Sequence, residues 1–231
     1  MPWRSIDVMK RIFAFLLMAI AALPLRAQLE FLAPVFGKKL LYGVEYTSPM
    51  GNGEFYFSLA SERRGSTPVC DIVFYEDSLL TLEYSSSSIT YRDSAEYYLI
   101  GAKDIIAFLL PNISGLRQTE DGGEVAFPKI TAPGDRYEGS SVKLLGTMEN
   151  MAVTMDVSLG EIVVHPSEPV EVPYGKSNAM KVTNESEIIL LNSPQKLYFT
   201  IWYKRGLGPL RFSVSSMEGL MKIDIALLGE A

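Results

Sequence analysis

The sequence predicts an all-β, mainly antiparallel protein whose curved sheet forms a partial barrel or sandwich, with at most one short helix. Three observations predict it. Twelve Tyr and eleven Phe accompany 18 Gly and 13 Pro, a mixture that suits pleated, half-buried strands joined by turns. Short alternating runs recur between turn clusters, as in sandwiches and barrels. Long helices do not intervene between these runs.

Residues 1–27 read as a signal peptide and residues 28–231 as a single β-rich exported domain. A basic start (Arg4, Lys10, Arg11) leads into an apolar run from Ile12 to Leu23, and small Ala27 precedes Gln28 at the expected cleavage point. The run is short for a membrane span, so membrane contact is expected only through the cleaved segment. Met9, directly before Lys10, competes with Met1 as the start. With no Cys near the cleavage point, a lipid anchor there is not expected.

Of 21 basic and 27 acidic residues, this leader holds four bases (Arg4, Lys10, Arg11, Arg26) and one acid (Asp7), leaving 17 and 26, a net charge of −9. Such a surface repels phosphate backbones, which argues against nucleic acid as a partner. Cys70 is the one cysteine. It has no internal disulfide partner and reads as a small buried hydrophobe.

The elements follow in order. Residues 29–37 form an apolar stretch broken by Pro34. Residues 39–47 and 54–60 are strand-like, and the turn-rich 48–53 between them ends in Asn52-Gly53, a hairpin signal. Residues 69–76 and 79–84 read as strands, 85–88 as an exposed serine linker, and 89–92 as a short strand. Tyr97 to Ile100 read as a strand, and 103–110 as a helical turn or two stopped by Pro111. Residues 112–123 read as loop, 124–130 as an extended run, and 132–135 as a turn. Strands are expected at 141–148, 151–159 and 161–165. The stretch 168–214 reads as three antiparallel strands turned at Pro173 to Lys176 and at Gly206 to Pro209.

Several of these residues form an ordered series. Phe127-Pro128 and Pro133-Gly134 come first, then Val170-Glu171-Val172-Pro173-Tyr174-Gly175-Lys176 leading to Met180-Lys181-Val182, then Trp202-Tyr203-Lys204-Arg205-Gly206-Leu207-Gly208-Pro209-Leu210. The series resembles the TapB-like family of secreted bacterial β-rich proteins, where an F-P…P-G turn, a V-x-V-P-x-G hairpin and a W-Y-x-x-G-x-G hairpin come in this order. The resemblance implies a single exported antiparallel domain, curved like a partial barrel, from a family without an assigned activity. No catalytic residue is carried over. Tyr174, Ser177 and Pro209 depart from the family's pattern, which bears on hairpin geometry rather than on fold.

Residue patterns that would carry chemistry are sparse. His165 is the one histidine and has no G-x-S-x-G nucleophile context. Glu120-Asp121-Gly122-Gly123 lacks the alternating ligands of a calcium loop. Glu83, Asp156, Glu171 and Glu187 lie on expected strands, but any acidic β-protein offers as many for a glycosidase pair. Met148, Met151 and Met155 read as core filler. Tyrosines at 42, 46, 56, 75, 84, 97, 98, 198 and 203 are spread along the strands with Trp202; a curved sheet gathers such residues either into its core or into a concave binding surface.

The expectation is therefore a non-enzymatic exported β-domain of the bacterial periplasm or cell surface that binds a hydrophobic or envelope-derived ligand in its curved sheet. Trp202, Tyr203 and Tyr174 are the expected ligand-binding residues, without metal or cofactor. A lipid, a glycan or an envelope protein is the expected partner. Two readings from other classes compete: an envelope assembly protein that pairs through sheet edges, and a carbohydrate-active enzyme with two inward carboxylates in one cleft.

Overall fold

The computed structural model describes residues 37–48, 51–93, 97–101, 113–118, 124–128, 132–148, 151–190, 193–217, 219 and 221–231. Alternation sets the inward face. Leu40, Tyr42 and Val44 are buried on β1 (Lys39–Ser48), and Phe55, Phe57 and Leu59 on β2 (Gly51–Arg64). The same period of two continues on β3 (Thr67–Tyr75) with Cys70, Ile72 and Phe74. The chain then forms β4 (Glu83–Asp93), β5 (Tyr97–Gly101), β6 (Ile113–Gln118), β7 (Glu124–Pro128), β8 (Arg136–Tyr137) and β9 (Ser140–Met148). It ends in β10 (Met151–Val172), β11 (Gly175–Leu190), β12 (Ser193–Lys204), β13 (Gly208–Ser216) and β14 (Lys222–Glu230). All the described elements are strands, and every pairing is antiparallel.

The sheet runs β6-β9-β10-β11-β12-β13-β14-β1-β2-β3-β4-β5-β7, with β8 beside β10. The two ends of the described chain meet at its centre, where β14 pairs with β1, and the middle of the chain supplies both edges. Because β6 and β7 do not pair, the sheet is not closed into a barrel. An open sheet of this width must curl. One core cluster accordingly joins Phe57 of β2 to Val164 of β10 and Phe212 of β13. The curl is tight enough that Tyr174, in the β10–β11 turn, donates its backbone N–H to Leu227 O of β14 at 3.1 Å, although β12 and β13 lie between those hairpins in the sheet. The fold class is thus as the sequence predicts: all-β, antiparallel and curved.

Local chemistry explains the tight places. Gly206, with φ of 78°, lets the β12–β13 turn reverse where Leu207 N–H donates to Lys204 O at 3.2 Å. Pro209 begins the return strand in a buried position, and its carbonyl accepts the Tyr42 hydroxyl at 3.0 Å, which satisfies a phenol sunk in the core.

Five expectations change. Residues 79–84 are mainly turn rather than strand, because the Asp77 carboxylate accepts from Thr81 N–H at 2.9 Å, Thr81 Oγ1 at 2.6 Å and Leu82 N–H at 2.8 Å, which bends the chain back. Ser85 to Ser88 is not a linker: it lies in β4, with Ser85 opposite Phe74 and Ser88 opposite Asp71, so ladder pairing overrides low strand propensity. Residues 113–118, read as loop, form β6 against β9. The expected strands at 151–159 and 161–165 are one long β10 that continues to Val172, and the single strand expected between the turns at 173–176 and 206–209 is two, β11 and β12, paired antiparallel. Residues 1–27, 29–36 and 103–110, with the expected leader, apolar stretch and helical turn, lie outside the described residues.

Candidate functional site

The site grows from a glycine inside a strand. Leu159-Gly160-Glu161 interrupts the β10–β11 ladder: Leu159 pairs with Ser186 and Ile162 with Asn184, so β10 carries one residue more than its partner, a β-bulge. A side chain at Gly160 would run into the backbone carbonyl of Glu185. Only glycine allows the strands to approach this closely.

Two buried polar residues hold the bulge from beneath. Asn184, 3% exposed, donates Nδ2 to Gly160 O at 2.8 Å and to Glu161 O at 3.3 Å, and Ser186 Oγ donates to Asn184 Oδ1. A buried amide among Val182, Leu197 and Phe199 is costly unless bonded, and here its bonds fix the one distorted segment of the strand.

The outer face at the bulge is a groove of about 270 Å³ lined by Ser158, Gly160, Glu185, Ser186, Glu187, Lys196, Leu197, Tyr198 and Met217. In register, Glu187 faces Lys196 and Glu185 faces Tyr198. The neighbouring Glu185 carboxylate raises the pKa of Tyr198, which stays 38% exposed. Met217 is 51% exposed, and its N–H donates to Lys196 O at 3.1 Å, which holds the β13–β14 turn against β12. Acceptors, donors and an apolar patch thus converge in one place.

A second groove, about 460 Å³, is lined by Glu45, Tyr46, Thr47, Asn52, Gly53, Glu54, Lys222 and Asp224. Glu54, Glu45 and Asp224 stand in a row on β2, β1 and β14. Asp224 is paired with Lys222 at 2.7 Å and Arg211 at 2.8 Å. Burial opposes ionisation there, but those two cations hold its carboxyl below the ordinary value. Among the described residues no group of three His, Cys, Asp or Glu is arranged to hold a metal ion.

The expected site residues are not brought together. Tyr203, 1% exposed, points into the core and donates its hydroxyl to Met180 Sδ at 2.5 Å; burial pushes its pKa well up. Trp202, next along the strand, therefore lies on the opposite, outer face, where its Nε1–H donates to Glu168 Oε1 at 2.6 Å. Lys181 Nζ and Arg211 Cζ stand 5.7 and 5.4 Å from its ring centroid. Tyr174, 42% exposed, sits at the β10–β11 turn and donates its hydroxyl to Glu230 Oε1 at 2.5 Å. The inward aromatics pack on one another: Tyr42 stacks on Phe57 at 4.9 Å and meets Phe212 edge-on at 6.0 Å. The core reading of the aromatics thus holds for Tyr42, Tyr75 and Tyr203, all buried.

Gly160, Asn184 and Ser186 were legible only as exceptions: a glycine inside a strand pattern, and polar residues at inward positions of an alternating strand.

The architecture defines the class, an open antiparallel all-β sheet curled around its own side chains. Among solved structures it is similar to a protein from Bacteroides fragilis NCTC 9343 described as exported and as having a YmcC-like fold (16% identity, TM-score 0.54, covering 91% of this chain and 99% of that one). It is also similar to a protein from Parabacteroides distasonis ATCC 8503 described as a lipoprotein (14% identity, TM-score 0.58, covering 87% of this chain and 99% of that one). At these identities the likeness shows the fold alone. No family model matches the chain, and no curated protein does.

Proposed function

We propose that the protein is a non-enzymatic exported domain of the bacterial envelope, in the periplasm or at the cell surface, that holds an envelope-derived ligand on the outer face of its sheet. The observation that carries this is the groove over the Gly160 bulge, where Asn184 fixes a depression that Tyr198 and Met217 line with exposed apolar surface. The signal-like residues 1–27 and the two fold neighbours described as exported or lipoprotein support the compartment. The ordered motifs that resemble the TapB-like family agree with it. The outer groove replaces the concave surface as the binding place, because the inward face is occupied by core side chains such as Tyr42, Phe57 and Phe212.

Among the described residues, three of the groups weighed for catalysis are engaged in pairs of their own. His165 bonds to Thr183 Oγ1 at 2.7 Å, and Glu171 and Asp156 are ion-paired with Lys176 and Lys143 at 2.9 and 3.3 Å. Glu185 and Glu187 share the groove, but it is open to water and not the dry pocket that general acid catalysis favours. An assembly role is the second reading. Among the described residues β6 and β7 each pair along one side only, which leaves edges for a partner strand.

Native mass spectrometry of the protein purified gently from its own envelope, beside a denatured control, tests the proposal. A defined ligand released at near-stoichiometric amount supports it. An empty protein that flies as an oligomer supports the assembly role instead.

A further inference from the structure

We infer that the groove over the Gly160 bulge binds one unit of a neutral saccharide chain, stacked on Tyr198. This rests on the groove being the binding site and names what it takes. Its volume of about 270 Å³ falls just below that of ordinary ligand pockets, which run from about 300 to 1,000 Å³, and it is open to solvent. That suits one ring of a longer chain lying across the sheet. The ring of Tyr198 is 38% exposed and stands opposite Glu185 in the ladder, so it offers an apolar face to the C–H side of a sugar.

The rim selects against other ligands. Glu185 and Glu187 accept hydrogen bonds, Lys196 donates them, and Ser158 does both. Sugar hydroxyls satisfy all of these. An acyl chain would desolvate them without return bonds. A cationic ligand drawn to the carboxylates would meet Lys196, which stands opposite Glu187 in the ladder. The Asn184 bonds beneath make the groove preformed, which lowers the ordering cost of weak, shallow contacts.

The test is an amide NMR titration of the full mature chain with maltotetraose, cellotetraose, chitotetraose and mannotetraose at up to millimolar concentration. Dihexanoylphosphatidylethanolamine and spermidine form parallel arms. The expected result is that at least one sugar shifts the amides of Glu185, Glu187 and Tyr198. Tyr198→Ala should then weaken it by about tenfold or more, and Tyr198→Phe, which keeps the ring, by about threefold or less. Each variant's own spectrum shows that it is folded. Silence from all four sugars overturns the saccharide assignment. If the lipid or spermidine shifts the same amides while the sugars do not, the ligand class falls and the site stands. A co-purified ligand that maps away from these amides overturns both.

Discussion

The Trp202 indole donates to the Glu168 carboxylate at 2.6 Å, and so ties β12 to β10 over the top of β11. That bond, reinforced by Lys181, holds the Glu168 carboxyl below its ordinary value of 4.5. A depressed folded-state pKa contributes stability that is present above the unfolded value and is lost as pH falls through the folded one. Glu230, bonded by Lys38 and by Tyr174, shifts in the same direction.

Thermal unfolding followed against pH should therefore show the melting temperature falling as pH drops below about 4.5. Glu168→Gln should make that fall shallower. Trp202→Phe should cost about 1 kcal/mol at neutral pH, a charge-assisted bond discounted for its partial exposure, and should leave ligand binding unchanged.

Tyr203 is a core residue, and its substitutions should behave as such. Tyr203→Ala should destabilise by about 3–5 kcal/mol in urea unfolding. Tyr203→Phe should cost about 1 kcal/mol or less, because the Met180 thioether is a weak acceptor.

Burial, with the nearby Asp71 charge, pushes the Cys70 thiol up to about 12. It is therefore protonated and inert at neutral pH. Ellman's reagent should leave the native protein unlabelled and react with one equivalent on unfolding in guanidinium. Rapid native labelling would show that the β2–β4 face opens.

The bulge should be fragile from both sides. Asn184→Ala leaves the Gly160 and Glu161 carbonyls without their amide donor and should cost about 1–3 kcal/mol. Gly160→Ala forces the strand away from Glu185 O and should cost about the same. Both should weaken ligand retention, measured by native mass spectrometry at a temperature where the variants remain folded.

What the sequence made legible follows the period of two. Phe55-Tyr56-Phe57-Ser58-Leu59 announces two alternating faces, and β2 buries Phe55, Phe57 and Leu59 on one of them, although Ser58 on the other is buried as well. The turns at Pro173 and Gly206 were readable because glycine and proline dictate backbone angles locally. Ser85 to Ser88 was not readable, since its strand character comes from pairing with β3, a partner that the segment itself does not specify. The β14 strand, which joins the end of the chain to its beginning, depends likewise on contacts far apart in sequence. Trp202 and Tyr203 were singled out together, but neighbours on a strand face opposite ways, and adjacency in sequence separates them in space. The groove combines residues of β10, β11, β12 and the β13–β14 turn through a one-residue bulge, and no local pattern encodes that register.

The most direct test of the account is to map, by amide chemical shifts of the mature protein, where its co-purified ligand binds when added back to stripped protein. The account predicts shifts centred on Ser158, Gly160, Glu185, Glu187, Tyr198 and Met217, and their loss in Tyr198→Ala. Shifts centred on the inward face around Tyr42 and Phe212, or on the β6 and β7 edges, would contradict it.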